Sequence, residues 1–258
     1  MNKHQLRETR VAIIGAGIAG LSCANQLKEL GFQVHVYEKS RGVSGRMSTR
    51  KTEIWSADHG AQYFTARDPL FIKELHEWLK ADVAAIWNPR LKVFEGNQWR
   101  SSLSTENRYV GTPGMNSPGK YLAKNLHVQL NQTIDRISYD HDAWRLHSQE
   151  SGDIEQLYDW LVLALPAPQT IALAKSIDSS IEALAIQARM QGCWTVMASF
   201  ANPLNLPFDA VFINNEIISW ISRNNSKLNR TGQETWTIHA NPQWSQQWIE
   251  LEKEQAAE

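Results

Sequence analysis

Three glycines with a fixed spacing lie near the amino terminus, where they could hold phosphate groups. Gly15, Gly17 and Gly20 form the pattern G-x-G-x-x-G, and Glu38 follows the first glycine by 23 residues. Glycines at these positions permit a tight turn, a close approach of the backbone to a pyrophosphate, and close packing of a helix on a strand. A carboxylate at this distance can accept both hydroxyls of a ribose and disfavours a 2′-phosphate there. The spacing therefore predicts a dinucleotide site that does not take NADP.

The elements that must position these residues follow one another as a βαβ unit. The apolar run 11–14, rich in β-branched residues, is typical of a buried parallel strand. Helical spacing of apolar residues follows Gly20, and Gly31 stands where a helix commonly ends. A second strand, 33–39, contains Glu38 near its end. The amino terminus of the helix would offer free N–H groups to the phosphates. The residues that we expect at these phosphates are Gly15, Ala16, Gly17, Ile18, Ala19 and Gly20.

A basic, glycine-bearing loop follows Glu38, where NAD-binding domains normally continue into another helix. It contains Arg41, Arg46 and Arg50, and Gly45 would let Arg46 approach the pyrophosphate from the side opposite the first helix. A solvated loop without a ligand is the alternative interpretation. Together with Glu38, the loop favours FAD as the cofactor. The loop residues assigned to the cofactor site are Lys39, Arg41, Gly45, Arg46 and Met47.

The segment Asp58–Thr65 reads D-H-G-A-Q-Y-F-T and extends this set of motifs. With the glycine turn, the acidic residue and the Gly-Arg loop, it resembles the flavin amine oxidase superfamily, and within it the renalase-like flavoproteins. Matching segments continue at 111–115, 161–169 and 220–227, so the resemblance covers nearly the whole chain. It implies that the cofactor is FAD.

The resemblance also implies roles for individual residues. Ala19 would lie at the phosphate turn, and Arg46 would lie beside the pyrophosphate. Gln62 and Tyr63 would line the flavin, and the backbone of Val128 would reach toward the adenine. A final FAD-binding segment, with a Gly-Asp motif before a last helix, is implied as well. This sequence lacks such a motif after residue 170, so the resemblance leads us to expect a truncated chain.

The expected fold class is α/β, with a Rossmann-like FAD-binding domain interleaved with an α+β substrate domain of the amine-oxidase/hydroxylase type. The FAD-binding domain would take residues 1–66 and 111–170, and the substrate domain would take 67–110 and 171–258. The elements predicted outside the βαβ unit are a helix over 68–80, a hairpin at Gly96-Asn97, a helix from Pro118 to Leu126, strands over 128–140, 144–149 and 158–166, and a final helix from Ser245.

Composition argues against several function classes. The net charge of −1 and the sequence pI near 6.7 give no sign of a nucleic-acid or anionic-membrane surface. No apolar run reaches the roughly 20 residues that span a bilayer, and the polar start lacks a secretory apolar region. Two distant cysteines indicate a reducing compartment, with no disulfide and no metal site. We therefore expect a cytoplasmic protein whose oligomeric state stays open. Its eleven tryptophans could fill the core or form an aromatic wall around a planar ligand.

Candidates for catalysis are few. His59 and His239 are weak candidates, each with a structural role as the alternative, and no metal spacing or nucleophile motif is present. Oxidation of a dihydropyridine needs no base, because only hydride departs and the ring becomes aromatic. The resemblance implies this reaction: isomeric 1,2- and 1,6-dihydro-NAD(P) would give hydride to FAD, and O2 would take the electrons to yield H2O2. The alternatives are a flavin amine oxidase and an inactive, truncated nucleotide-binding remnant.

Overall fold

The computed structural model describes residues 8–175, 177 and 179–256. Most of the polar start, on which the expected lack of a secretory leader depends, lies outside the described residues. The chain divides into two compact units. The first contains the residues up to Arg46 together with Gly119–Met190, and the second contains Met47–Pro118 and the residues from Gln191 onward.

The helices and strands follow one another along the chain in a mixed α/β order. They are β1 (Arg10–Ile14), α1 (Ile18–Glu29), β2 (Gln33–Glu38), β3 (Thr49–Lys51), β4 (Ser56–Asp58), α2 (Pro69–Lys80), β5 (Ala84–Trp87), β6 (Leu91–Glu95), β7 (Gln98–Ser101), β8 (Arg108–Gly111), α3 (Ser117–Ala123), β9 (His127–Leu130), β10 (Ile134–Asp140), β11 (Ala143–Ser148), β12 (Gly152–Asp153), β13 (Trp160–Leu163), α4 (Ala167–Ala174), α5 (Ser179–Ile186), β14 (Thr195–Phe200), β15 (Ala210–Ile213), β16 (Ile218–Arg223), a 3-10 turn (Asn224–Ser226), β17 (Glu234–Ala240) and α6 (Pro242–Gln247).

A four-stranded parallel sheet in the order β13-β1-β2-β9 forms the centre of the first unit. Val11 on β1 lies opposite Val34 on one side and Trp160 on the other. Since β1 is flanked by strands on both edges, its apolar residues are almost fully buried, which explains the continuous apolar run. The predicted βαβ unit is confirmed, and the strand predicted over 158–166 is present as β13, which pairs with β1 in this sheet.

A small antiparallel sheet, β10-β11-β12, packs its apolar residues into the same core. Ile137 and Leu146 lie opposite each other there, and both belong to the buried cluster that includes Ile14 and Tyr37. The prediction of one strand over 128–140 was wrong. Asn131 has a φ of 54°, so the chain turns there, and β9 and β10 join different sheets.

The second unit is built on a six-stranded sheet in the order β14-β17-β16-β15-β6-β7. Its pairs are antiparallel except for β15 and β6. The predicted hairpin is confirmed: Gly96 and Asn97 join β6 to β7, and both have positive φ, as a tight two-residue turn requires. The predicted helix over 68–80 is confirmed as α2, which Asp68 caps by accepting from the N–H groups of Leu70 and Phe71.

Two other helices differ from their predicted bounds. Helix α3 ends at Ala123, so Leu126 lies beyond it. The last helix begins at Pro242 and not at Ser245, because the Asn241 side chain accepts from the N–H of Trp244 and so caps an earlier start. This helix ends at Gln247. Trp248 and Leu251 therefore lie outside it.

The division into units differs from the expected domain bounds at three segments. Residues 47–66 and 111–118 belong to the second unit, and 171–190 belong to the first. The reason is packing: β4 contributes the fully buried Asp58 to the second unit, whereas Leu173 of α4 packs into the core of the first. No helix among the described residues is both long enough and apolar enough to cross a membrane.

The packing of the glycine turn predicts a difference between two glycine-to-alanine variants. In Gly20→Ala, the new Cβ would overlap the carbonyl oxygen of Gly15, so we expect destabilisation of about 1–3 kcal/mol. Gly17→Ala is the matched control, because its φ is −73° and no atom lies within 4 Å of the added carbon. Thermal unfolding followed by circular dichroism measures both. Equal melting temperatures for the two variants would contradict this account of the turn.

Candidate functional site

The glycine turn of the first unit leaves its backbone open at the start of α1. Gly15 has a φ of +108°, and a Cβ there would lie 2.5 Å from the carbonyl oxygen of Ala164. Gly17 precedes α1, caps it with no side-chain hydrogen bond, and faces open space where its Cβ would stand. The first N–H groups of α1 therefore donate no hydrogen bond to a side chain of the residue that caps the helix. Backbone of this kind suits a phosphate, which N–H groups and the helix dipole attract.

Glu38 lies directly behind this turn, at the end of β2. Its Oε2 accepts from the N–H of Ala16 at 2.8 Å, and its Oε1 accepts from the N–H of Ser40 at 2.9 Å. These bonds hold a carboxylate that is only 8% exposed. Each carboxylate oxygen can accept a second hydrogen bond, so the group can still receive ribose hydroxyls.

The loop after Glu38 returns to the glycine turn. The N–H of Ser44 donates to the carbonyl oxygen of Ala16 at 2.8 Å, and Ser44 forms a bridge with Gly17. A Cβ on Gly45 would lie 3.2 Å from the Cα of Gly17, so the two glycines pack closely. Ser44 has a φ of 95°, which is rare for a residue other than glycine, and sequence reasoning did not single it out.

Most of the other residues predicted for the cofactor site lie in the first unit. Lys39, Arg41 and Arg46 have exposed side chains, as does Ala19 in the first turn of α1, while Ile18 is half-buried. Val128 on β9 lies beside Val36, the residue two positions before Glu38 on the neighbouring strand. Met47 is assigned to the second unit, where it packs against the buried core.

A buried ionic cluster organises the second unit around Asp58. Its Oδ2 accepts from Lys227 Nζ at 3.1 Å and from Arg230 Nη2 at 2.7 Å. Its Oδ1 accepts from Thr49 Oγ1 at 2.7 Å and from the N–H of Met115 at 3.0 Å. The side chains of Asp58, Lys227 and Arg230 are all 0% exposed. We call these three residues the Asp58 cluster.

Electrostatics keeps the Asp58 cluster ionised. Burial alone would raise the pKa of Asp58, but Lys227 and Arg230, with the hydrogen bonds from Met115 and Thr49, lower it below its ordinary value. Burial lowers the pKa of Lys227 to about 8, against the opposing effect of the Asp58 carboxylate. The Nζ of Lys227 lies at ion-pair distance from the Asp58 carboxylate, 3.1 Å from its Oδ2. One carboxylate then faces two cations, and the cluster has one positive charge in excess.

Gln62 connects this cluster to a cavity. Its Oε1 accepts from Ser222 Oγ at 2.8 Å and from Lys227 Nζ at 3.2 Å. Its Nε2 donates to the carbonyl oxygens of Asp58 at 2.6 Å and Gly60 at 2.9 Å. All four hydrogen bonds that the amide can make are used inside the unit. Gln62 can therefore form part of a wall, but its side chain has no hydrogen bond left for a ligand.

The cavity beside Gln62 has a volume of about 470 Å³. Aromatic rings form much of its wall: the Trp220 ring centroid lies 5.8 Å from that of Tyr63 and 4.7 Å from that of Phe212. Among the tryptophans that could form an aromatic wall, Trp220 lines this cavity. The lining residues are Gly60, Ala61, Gln62, Tyr63, Phe212, Ile213, Asn214, Ser219, Trp220 and His239.

The two candidate histidines lie close together in this unit. The Nε2 of His239 is 3.3 Å from the carbonyl oxygen of His59, and since a carbonyl only accepts, Nε2 is the protonated nitrogen. Burial lowers the pKa of both histidines. His239 lines the cavity as a neutral ring, while His59 Nδ1 is 3.5 Å from Ser48 Oγ. Among the described residues, no group of His, Cys, Asp and Glu could hold a metal ion.

Sequence reasoning missed the Asp58 cluster. Lys227 lies 169 residues after Asp58 and Arg230 lies 172 residues after it. No spacing rule links ionic partners so distant in sequence. The signal that could have indicated them was a lysine and an arginine three residues apart, directly after an aromatic strand. Lys227 is the last residue of the segment 220–227 that carried the resemblance, and Arg230 lies just beyond it.

The Asp58 cluster predicts a large effect of one isosteric change. Asp58→Asn leaves two buried cations without a carboxylate, so we expect a loss of about 3–5 kcal/mol in stability. The pKa of Asp58 is lower in the folded protein than in the unfolded chain, where it is near 3.8. The carboxylate therefore contributes its full stability above the unfolded pKa, and this stability is lost as the pH falls through the folded pKa. Urea unfolding across this pH range measures both effects. Glu106→Gln, in an exposed pair with Arg67, is the control and should change stability little. A stable Asp58→Asn variant would contradict the account.

Comparison with known proteins agrees with this geometry in the first part of the chain. Residues 13–76 match the family model of the NAD(P)-binding Rossmann-like domain. A 1-hydroxycarotenoid 3,4-desaturase from Flavobacterium sp. (strain P99-3) is 40% identical over 68 residues, which are 26% of this chain and 14% of the desaturase. An L-amino-acid oxidase from Sistrurus catenatus edwardsii is 49% identical over 51 residues, 20% of this chain and 10% of the oxidase. The matches thus span a small part of each relative.

Solved structures with the same fold cover nearly the whole chain. A protein described as a protoporphyrinogen oxidase, from Exiguobacterium sp. 255-15, has a TM-score of 0.76 at 12% identity, covering 96% of this chain and 80% of that one. A putrescine oxidase variant has a TM-score of 0.73 at 14% identity, covering 96% and 78%. A cyclohexylamine oxidase from Brevibacterium oxydans IH-35A has a TM-score of 0.72 at 12% identity, covering 96% and 79%. This chain therefore carries an NAD(P)-binding Rossmann-like domain within the fold that these oxidases share.

Proposed function

We propose that this chain is an FAD-dependent oxidoreductase that oxidises isomeric dihydro-NAD(P) and passes the electrons to O2, giving H2O2. The observation that carries the proposal is the open glycine turn with the fixed carboxylate of Glu38 behind it. The oxidases and desaturase that this chain resembles support a redox function of this class. The choice of substrate rests on the renalase-like motifs of the sequence.

The residues of the first unit fit the dinucleotide part of FAD. The N–H groups at the start of α1 would bind the pyrophosphate, and Gly17 leaves room for it. Glu38 would accept the ribose hydroxyls, and Arg46 would add a charged contact from the following loop. Val128 would lie toward the adenine. When bound, FAD supplies the electron acceptor for the hydride and the route to O2.

The second unit fits a reaction that removes no proton from the substrate. A hydride, with its two electrons, leaves a ring carbon of the dihydropyridine, and the ring becomes an aromatic pyridinium. O2 then takes two electrons and two protons to become H2O2. The ring N–H of His239 donates to the carbonyl oxygen of His59, and burial lowers the pKa of the ring. We therefore assign His239 a structural role. Tyr63 and Trp220 would pack against a planar ring.

Amine oxidation is the second candidate, because putrescine oxidase and cyclohexylamine oxidase share the fold. The substrate would have to bind as a neutral amine. The excess positive charge of the Asp58 cluster favours that state over an ammonium ion. The rings of Tyr63 and Trp220 meet at 46° and contact each other, so they do not form a parallel cage around an amine. The dihydropyridine therefore remains the preferred substrate class.

Removal of the Glu38 carboxylate tests the ribose contact. Glu38→Ala should weaken FAD binding by about tenfold or more, because hydrogen bonds to a charged acceptor are lost. Asp159→Ala is the matched control, since Asp159 is a carboxylate of the same unit that accepts from the N–H of Arg10 at the start of β1. Its FAD affinity should equal that of the wild type. Fluorescence titration with FAD measures all three proteins, and an unchanged affinity in Glu38→Ala would overturn the assignment.

The substrate class is tested by anaerobic mixing in a stopped-flow instrument. The FAD-loaded protein should lose its flavin absorbance rapidly with 1,2- or 1,6-dihydro-NAD(P), and slowly with 1,4-dihydro-NAD(P) and with aryl-alkyl amines. The 1,4 isomer is the matched control, because it differs only in the position of the added hydrogen. Reduction by amines alone would replace the proposal with the second candidate.

A further inference from the structure

The cavity of the second unit is backed by positive charge that no described side chain at its wall balances. Lys227 Nζ lies 3.2 Å from Oε1 of the lining residue Gln62. The same ammonium lies 5.5 Å from the ring centroid of Trp87, which packs against the lining residues Tyr63 and Trp220. One layer of side chains thus separates a fully buried lysine from the cavity.

Carboxylates near this wall are already paired. Asp58 is shared between Lys227 and Arg230, which leaves one cation in excess. Glu95 reaches the rim, where its Oε1 accepts from Asn214 Nδ2 at 3.2 Å, but its Oε2 is paired with Arg100. The field that reaches the cavity is therefore positive. Because the cluster is buried, this field is screened less than that of an exposed charge.

The charge of Lys227 also acts on a group that lines the cavity. The charge of Lys227 contributes to lowering the pKa of His239, so it acts at a side chain that faces the cavity. A negatively charged ring in the cavity would be attracted by this charge. A cationic ring would meet repulsion from the same cluster.

We propose that Lys227 determines the charge preference of this cavity, so that it binds a planar ring bearing negative charge more tightly than a neutral or cationic ring of the same shape. The proposal rests on the proposed function in one respect: the ring that receives the hydride gains negative charge, and Gln62 and Tyr63 are the residues expected to line it. Lys227 acts through Gln62 and the aromatic wall, and is a positioning residue.

Three small ligands of one shape test the preference on the full chain. Benzoate is anionic, benzamide is neutral and benzamidine is cationic, and all fit a cavity of about 470 Å³. Quenching of tryptophan fluorescence and saturation-transfer NMR measure their affinities. We expect benzoate to bind about tenfold more tightly than benzamide, with benzamidine weakest. Equal affinities, a reversed order, or no binding of any of the three would overturn the proposal. Since no flavin and no turnover are involved, the result is independent of the test of the proposed function.

Substitution of the lysine identifies the source of the preference. Lys227→Gln keeps a donor beside Gln62 and removes the charge, while Asp58 stays paired with Arg230. Its affinity for benzoate should fall about tenfold, and its affinity for benzamide should stay constant. Lys80→Gln, an exposed lysine paired with Glu77 on α2, is the matched control and should behave as the wild type. An unchanged benzoate preference in Lys227→Gln would overturn the proposal. If this variant fails to fold, the order in which the wild type binds the three ligands still tests the proposal.

Discussion

The second unit depends on one buried carboxylate. Asp58 binds two cations that come from the segment after β16, and it also accepts from β3 and from the turn before α3. A charged group that is fully removed from water is tolerated only when partners satisfy it. The carboxylate therefore forces distant parts of the chain into one arrangement. Its backbone takes part as well, since its carbonyl oxygen accepts from Gln62 Nε2 and from Thr237 Oγ1.

The first unit uses a carboxylate in a different way. Within the part of the chain that the structure describes, Glu38 binds two backbone N–H groups and no cation, so its negative charge is not neutralised at the end of the parallel sheet. This is the edge at which doubly wound sheets bind ligands. The two units thus use their buried carboxylates differently. The first has a fixed carboxylate beside an open helix terminus, and the second has a buried ionic cluster behind a cavity with aromatic walls.

Local signals in the sequence were sufficient for much of the fold. The glycine turn, the capped helix α2 and the turn at Gly96-Asn97 each depend on residues a few positions apart. The break between β9 and β10 could not be predicted from the apolar pattern, because it depends on the left-handed conformation of a single residue, Asn131. The start of the last helix was misplaced because one residue, the capping Asn241, decides where the helix begins.

The site was predicted unevenly, for a physical reason. Contacts to phosphate use backbone groups in a short motif, so spacing alone indicates them. Ionic partners across a sheet have no fixed spacing, so Lys227 and Arg230 were not recognised as partners of Asp58. Gln62 was expected to line the flavin, and it lies in the wall of a cavity. The saturation of its amide follows only from its four partners in three dimensions.

The central claim, that this chain holds FAD, is tested most directly by the visible absorption spectrum of the purified protein. After incubation with FAD and removal of free cofactor by gel filtration, the protein should keep the two flavin absorption bands, shifted from those of free FAD. The Glu38→Ala variant, treated in the same way, should lose most of this absorbance. A wild-type protein without flavin absorbance after this treatment would contradict the account and favour a nucleotide-binding remnant without redox activity.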